Sequence, residues 1–364
     1  MYKRQGLTIS GVTQHSLEIT DDEAIPDVEF VLASATVGEA ETTQTITVSI
    51  SHASELATTV QYTLGAADAE DPADYELFAD PDTLTFAAGS TANQTFAVTI
   101  HDDAVYEGTE YIRLDLQAAS GLNITGNTQH SLEITDSEGV PTVQFVSTTS
   151  SVGEADTTHG IDVSISHASE AAVTVEYTRN SGTATGAADY DLVSDPDTIT
   201  FPGGSTGNQT FLVTILDDVL SEGPETLALD LQNPSGVTVG TNGFHTMTIT
   251  DDEPIPTVEF AITAFSEGEA ETTITIEVTI DTAPSAAVSV DYNIIGGSTN
   301  AEDPADYELT AATPATITFG AATTASQYVT VTIHDDAVWE DDETLALNLE
   351  TAVGVTIGTN VNHT

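Results

Sequence analysis

One short string constrains what this chain can fold into, because it comes back. Thr13-Gln14-His15-Ser16-Leu17-Glu18-Ile19-Thr20-Asp21 returns almost unchanged at Thr128–Asp136, and a variant runs from Phe244 to Asp251. Steps of 115 residues separate Asp21 from Asp136 and Asp136 from Asp251. An Ala-Asp-Tyr marker places its Asp at 74, 189 and 306, and an Asp-Asp pair followed by Glu starts at Asp102, Asp217 and Asp335. A period fixed this tightly means one folding unit used three times, the third with a small insertion. Each unit opens after an acidic linker ending in Pro, at Glu23–Pro26, Glu138–Pro141 and Glu253–Pro256. Pro fixes its own φ, so these joints read as short and stiff.

This phase sets repeats at 23–138, 139–253 and 254–364. Residues 6–22 read as the closing strand of a truncated preceding repeat, and the third repeat is expected to stop just before its own closing strand. Met1-Tyr2-Lys3-Arg4-Gln5 resembles a translated sequencing adapter and is set aside from the fold.

Inside a unit the apolar residues alternate. Thr45-Ile46-Thr47-Val48-Ser49-Ile50, Thr95-Phe96-Ala97-Val98-Thr99-Ile100 and Tyr111-Ile112-Arg113-Leu114-Asp115-Leu116 all keep period two. Period two in β-branched composition means strands with one face buried and one wet. About seven such strands per unit, punctuated by Gly, Asp and Pro turns, predict an all-β fold. The expected architecture is a row of tandem seven-stranded antiparallel Ig-like β-sandwiches in an elongated array.

Charge then narrows the function. There are 59 Asp and Glu against 4 Lys and Arg, a net charge of -55. Such a surface repels nucleic acid and anionic lipid. No Cys is present, which excludes disulfides and thiolate metal sites. No run of 18 apolar residues reads as a membrane-spanning helix, and no charged-then-apolar leader opens the sequence.

Many of the acids recur at fixed places. Repeat 1 has Glu39 after its first strand, Asp74 in a mid-unit loop, Asp102, Asp103 and Glu107 after a long strand, and Asp136 and Glu138 at its close. Repeat 2 has Glu154, Asp189, Asp217, Asp218, Glu222, Asp251, Asp252 and Glu253. Repeat 3 has Glu269, Asp306, Asp335, Asp336 and Glu340. Glu110, Glu225 and Glu343 recur too, but are read as facing away. Alternate strand ends meet at one pole of a sandwich, so these acids can converge there. Two carboxylates about 4 Å apart repel by roughly 4 kcal/mol at an effective dielectric near 20. A hard divalent cation relieves this, and Ca²⁺, with its flexible shell of about 6–8 oxygens, suits the site better than Mg²⁺. Charge counting gives about two to four Ca²⁺ per complete repeat.

Ala73-Asp74-Tyr75, Ile100-His101-Asp102-Asp103 with Glu107 and Glu110, and Ile249-Thr250-Asp251-Asp252-Glu253, in that order and repeated, resemble tandem Calx-beta domains. The resemblance covers nearly the whole chain from Gly6. It implies seven-stranded calcium-binding sandwiches of the kind found in sodium–calcium exchangers and large extracellular adhesive proteins. It also implies that the matching acids hold calcium. Ser137 stands where Asp252 stands in repeat 2, so repeat 1 should bind less calcium or bind it more weakly.

Other readings are weaker. The His residues in the Ser-His-Ala-Ser turns (His52, His167) and in the recurring strand (His15, His130) bring no second ligand at zinc spacing. The acid pairs recur in every unit without an aromatic-lined pocket, which argues against a glycosidase. Salt adaptation fits the scarcity of Lys as well. Trp339, read beside Tyr106 and Leu220, is expected to pack on its sandwich. Asn93-Gln94-Thr95 and Asn208-Gln209-Thr210 match a glycosylation sequon, a short pattern common by chance. An unpaired edge on repeat 3 and the spare strand at 13–20 suggest strand donation between molecules.

The favoured function is a non-enzymatic, calcium-rigidified structural or adhesive segment of a secreted or cell-surface protein. Its partners would be calcium ions, neighbouring repeats and an unidentified adhesion ligand. The alternatives are a calcium-sensing domain of a membrane transporter, or a non-catalytic region of a large secreted enzyme.

Overall fold

The computed structural model describes residues 11, 16–20, 22–270, 272–296, 301–302, 304–335, 339 and 341–364. Among them there is no helix, and none long and apolar enough to cross a membrane. The chain divides into two compact units at Val140/Pro141.

The first unit is one sandwich. Its strands are β1 (Asp27–Phe30), β2 (Ser34–Gly38), β3 (Thr43–Ile50), β4 (Thr58–Ala67), β5 (Tyr75–Leu77), β6 (Asp82–Phe86), β7 (Gln94–Ile100), β8 (Val105–Tyr106), β9 (Thr109–Ser120), β10 (Asn123–Ile124) and β11 (Gln129–Thr135). One sheet runs β10-β1-β3-β7-β5 and the other β2-β11-β9-β4-β6. Alternation works as the sequence predicts. In β3, Ile46, Val48 and Ile50 are buried while the Thr and Ser between them meet water. Phe30, Tyr62, Tyr75, Phe86, Ile112, Leu114 and Leu132 fill the space between the sheets, each large apolar side chain contributing roughly 1.5–3 kcal/mol on burial.

Two pairings depart from the expected all-antiparallel pattern. β1 lies parallel to β10, and β2 lies parallel to the closing strand β11 over five residues, Ser34↔Ser131 to Gly38↔Thr135. The first strand crosses from one sheet to the other between Phe30 and Ser34, so the single strand expected there becomes two. His130 fastens this crossing. It is buried, its Nδ1 lies 2.7 Å from Leu32 O, and its ring tilts against Phe30 at 5.6 Å. A carbonyl only accepts, so Nδ1 carries the proton.

The second unit holds two more sandwiches: repeat 2 keeps the plan, and repeat 3, among the described residues, has a four-stranded second sheet with no counterpart of β2. In repeat 2, Thr149–Gly153 pairs in parallel with Phe244–Thr250, and His245 Nδ1 meets Ser147 O at 2.7 Å beside Phe145. In repeat 3, His363 Nδ1 meets Ile262 O at 2.7 Å beside Phe260. After the long strand of each repeat the chain turns at a glycine with positive φ: Gly121 (71°), Gly236 (73°) and Gly354 (77°). A Cβ at these turns would meet Thr58, Val173 or Val288 at 2.8–2.9 Å, so only glycine fits.

Three expectations need correction. Repeat 3 does begin its closing strand: Asn362–His363 pair with Leu347 and Asn348, because His363 has the same Phe and carbonyl partners as its sisters. Residues 16–20 form no strand, and Leu17 and Ile19 are exposed. The remainder of the proposed donor strand, 13–15, and the adapter-like 1–5 lie outside the described residues. Trp339 does not pack on its sandwich but is 86% exposed.

Candidate metal centre

The pole where acids converge follows from strand direction. β2 ends before Glu39, β7 ends before Asp102, and β11 ends before Asp136 and Glu138. β5 begins after Asp74, and Glu110 sits at the start of β9. All of these termini lie at one end of the sandwich.

In repeat 1, carboxylate oxygens of Glu39, Asp102 and Glu138 lie within 4.8 Å of one another, and so do those of Asp74, Glu107 and Glu110. A hydrogen bond between Glu107 and Glu39 joins the two groups. Repeat 2 matches the second with Asp189, Glu222 and Glu225, and groups Glu154 and Glu253 with Asp251, the counterpart of Asp136, in place of the counterpart of Asp102. It adds a third group, Asp217, Asp252 and Glu253. Repeat 1 has Ser137 at the Asp252 position, its hydroxyl 3.1 Å from both Asp102 Oδ1 and Glu138 Oε2. A neutral hydroxyl therefore occupies the place of the third group's acid.

The other acids singled out from the sequence serve the backbone. Asp136 Oδ2 accepts N–H bonds from Glu107 and Gly108 at 2.8 and 2.9 Å, and its Oδ1 accepts from Glu138 at 2.8 Å. Asp103 Oδ1 accepts from Val105 N and Asp218 Oδ1 from Leu220 N, both at 2.7 Å. Asp251 does both jobs, accepting from Glu222 N and Glu253 N while belonging to a group. Asp74 and Asp189 likewise accept from Glu70 N and Thr185 N. These bonds fix the loops that carry the remaining acids.

Glu110 and Glu225, read from sequence as facing away, lie inside the groups. The signal was in their parity. Glu110 alternates with Ile112 and Leu114, and Glu225 with Leu227 and Leu229, so each points to the core side of its strand.

Repeat 3 differs. Glu269 is exposed in a segment without strand, whereas Glu39 and Glu154 are buried. The strand that positions Glu39 pairs with residues 131–135 of β11, and repeat 3 carries only Asn362–His363 of the closing strand. Asp306 accepts from Glu302 N, and Asp335 is exposed. Asp336 and Glu340 lie outside the described residues. Among the described residues, no three acids of repeat 3 come within reach of one ion.

Burial, with crowding by neighbouring acids, raises the carboxyl pKa values. Burial, the charge of Asp74 and the hydrogen bond to Glu39 push Glu107 to about 8. Burial, then Asp218, pushes Glu154 to about 7, and burial, then the hydrogen bond with Asp189, pushes Glu225 to about 7. Burial also raises Glu39 and Glu222. Glu225 Oε2 and Glu253 Oε2 are buried with no hydrogen-bond partner among the described residues. The donor set is entirely hard oxygen and compact, and has buried lone pairs to spare. Arg179 donates to Ala184 O at 3.0 Å and lies over the Tyr190 ring, next in sequence to Asp189. Arg113 is engaged with Asp115 at 3.1 Å. These residues fit Ca²⁺.

The Calx-beta domain model matches residues 21–138, 136–253 and 251–359. The chain belongs to the Calx-beta family. Calx-beta domains are known as calcium-binding domains, and as regulatory or binding modules rather than catalytic ones. No curated protein matches the whole chain or any part of it. Among solved structures, the apo-form Calx CBD1 domain is 27% identical over 32% of this chain and 100% of its own, with a TM-score of 0.29. CBD12 from CALX1.2 is 21% identical over 58% of this chain and 80% of its own, also at 0.29. The human desmocollin-1 ectodomain is 7% identical over 91% of this chain and 58% of its own, at 0.21.

Proposed function

We propose that this Calx-beta array is a calcium-stiffened structural segment of a secreted or cell-surface protein, a stalk or spacer between adhesive or other domains. The observation that carries the reading is the continuous run Glu110–Asp74–Glu107–Glu39–Asp102–Glu138 at one pole of repeat 1, repeated and extended in repeat 2. Calcium held there by these carboxylates would neutralise mutual repulsion and fix the loops between strands. Repeat 2, with its third group, would hold more calcium than repeat 1, and charge counting puts about two to four ions in each complete repeat. Near-equal units in series support a spacer, since a spacer gains reach from each added copy.

Calorimetry and thermal melts of the full chain test this reading. A stalk binds calcium nearer millimolar, as extracellular modules do, and a transporter sensor nearer micromolar. Stabilisation should grow with free calcium above the dissociation constant. An unchanged melting midpoint between EDTA and millimolar CaCl₂ would refute the calcium role.

A further inference from the structure

Within the second unit, repeat 2 meets repeat 3 through backbone. Leu220–Ser221 pair in parallel with Ala283–Pro284, in the register Leu220↔Ala283 and Ser221↔Pro284. Ser285 N adds a bond to Ser221 O at 3.1 Å. The receiving edge is held by its own sandwich, with Ala322 N donating to Pro284 O at 2.7 Å.

Repeat 1 presents the same receiving edge. Gly89 N donates to Ser54 O at 2.8 Å, so Ala53–Ser54 are held as Ala283–Pro284 are. They belong to no strand among the described residues, and nearby Leu56 is 77% exposed. Repeat 3 presents the matching inserting position. Counted from the Asp-Asp pair, Trp339 stands where Ser221 stands in repeat 2, not at the Leu220 position. It is 86% exposed and lies outside any described strand.

We propose that Trp339 docks on the Ala53–Ser54 edge of a second copy of this chain, joining copies head to tail. The register of the internal joint sets Trp339 opposite Ser54. Ala53 and Ser54 are small and leave room for an indole, and Leu56 offers an apolar neighbour. Tryptophan is one of the residue types enriched among the anchors of such contacts. The two surfaces differ, so the contact is heterologous and copies add head to tail, into a ring or an open row. Asp335 and Glu55 flank the two edges and oppose the approach. Association therefore strengthens with salt, as the Debye length falls to about 3 Å at 1 M. None of this uses the metal groups, so it stands apart from the calcium reading.

Trp339 is the only tryptophan in the chain, so its fluorescence reports this contact alone. The full chain is examined by sedimentation and by emission in 1 M NaCl with EDTA, over a range of concentrations. The expected result is a mass that rises with concentration, together with a blue shift of the emission. Trp339→Ala should leave the melt unchanged and the chain monomeric. A monomer at every concentration, or association with unmoved emission, or equal association by Trp339→Ala, would each overturn the proposal. The absence of native Cys allows a second check with Trp339→Cys and Ser54→Cys chains. A disulfide needs Cα atoms about 4.4–6.8 Å apart. Oxidation of the mixture should give the crossed dimer, and self-linking of Trp339→Cys at an equal rate would overturn the head-to-tail geometry.

Discussion

Titrating calcium into this chain at pH 7 should expel protons. A group with pKa about 8 is about nine-tenths protonated at pH 7, and a group with pKa about 7 is about half protonated. Glu107 is in the first condition, Glu154 and Glu225 in the second. Calcium binds the carboxylate form, so saturation releases about 0.9 proton from repeat 1 and about one from repeat 2, near two per chain. At pH 6 the count should approach three, and at pH 9 it should approach zero. Calorimetry in buffers of different ionisation enthalpy measures it, because the apparent heat changes by that enthalpy times the protons released. A pH-stat titration of unbuffered protein gives the same number directly. Heats identical in all buffers at pH 7, with calcium bound, would refute the crowding described for these carboxyls.

Without calcium, the same shifts tilt stability with pH. The carboxyls are raised in the folded state relative to about 4.5 when unfolded, so the folded state holds more protons between those limits. Their contribution is fully present below about pH 4.5 and is lost as pH rises through 7 to 8. In EDTA, the midpoint at pH 5.5 should exceed that at pH 8.5, and saturating calcium should remove or reverse the difference. Phe145→Ala should cost about 3–5 kcal/mol in denaturant unfolding of the second unit, since Phe145 is fully buried and supports His245. Ser137→Asp should add calcium capacity to repeat 1, and Asp252→Ser should remove it from repeat 2, as counted by equilibrium dialysis. Equal stoichiometry in all three chains would remove any role for the third group.

Strands and repeats were legible because they depend on local alternation, which a sequence displays openly. Ile46, Val48 and Ile50 face the core as their spacing dictates. The membership of the acid groups was only partly legible. Asp136 and Asp103 recur as faithfully as Asp102, yet loop geometry turns their oxygens to backbone N–H groups, and no spacing rule separates those roles. Glu110 was misread although its parity with Ile112 placed it inward. The crossing between β1 and β2 was hidden because three residues suffice for it and neither half breaks the alternation. Glu269 shows the opposite failure. Its motif matches Glu39, but the partner strand that would place it is a long-range feature absent from any local pattern.

The parallel pairing of β2 with β11 has a mechanical consequence. In repeats 1 and 2 the chain enters through β1, crosses at once into β2 and leaves just past the end of the closing strand, and β2 and that strand run side by side in one direction. Tension applied through the polypeptide therefore slides these strands along each other instead of peeling them apart. All five register pairs of repeat 1 carry the load together, with the His130–Leu32 bond as a pin beside them. Such shear loading makes the sandwiches of repeats 1 and 2 resist stretching far better than their equilibrium stability alone would indicate.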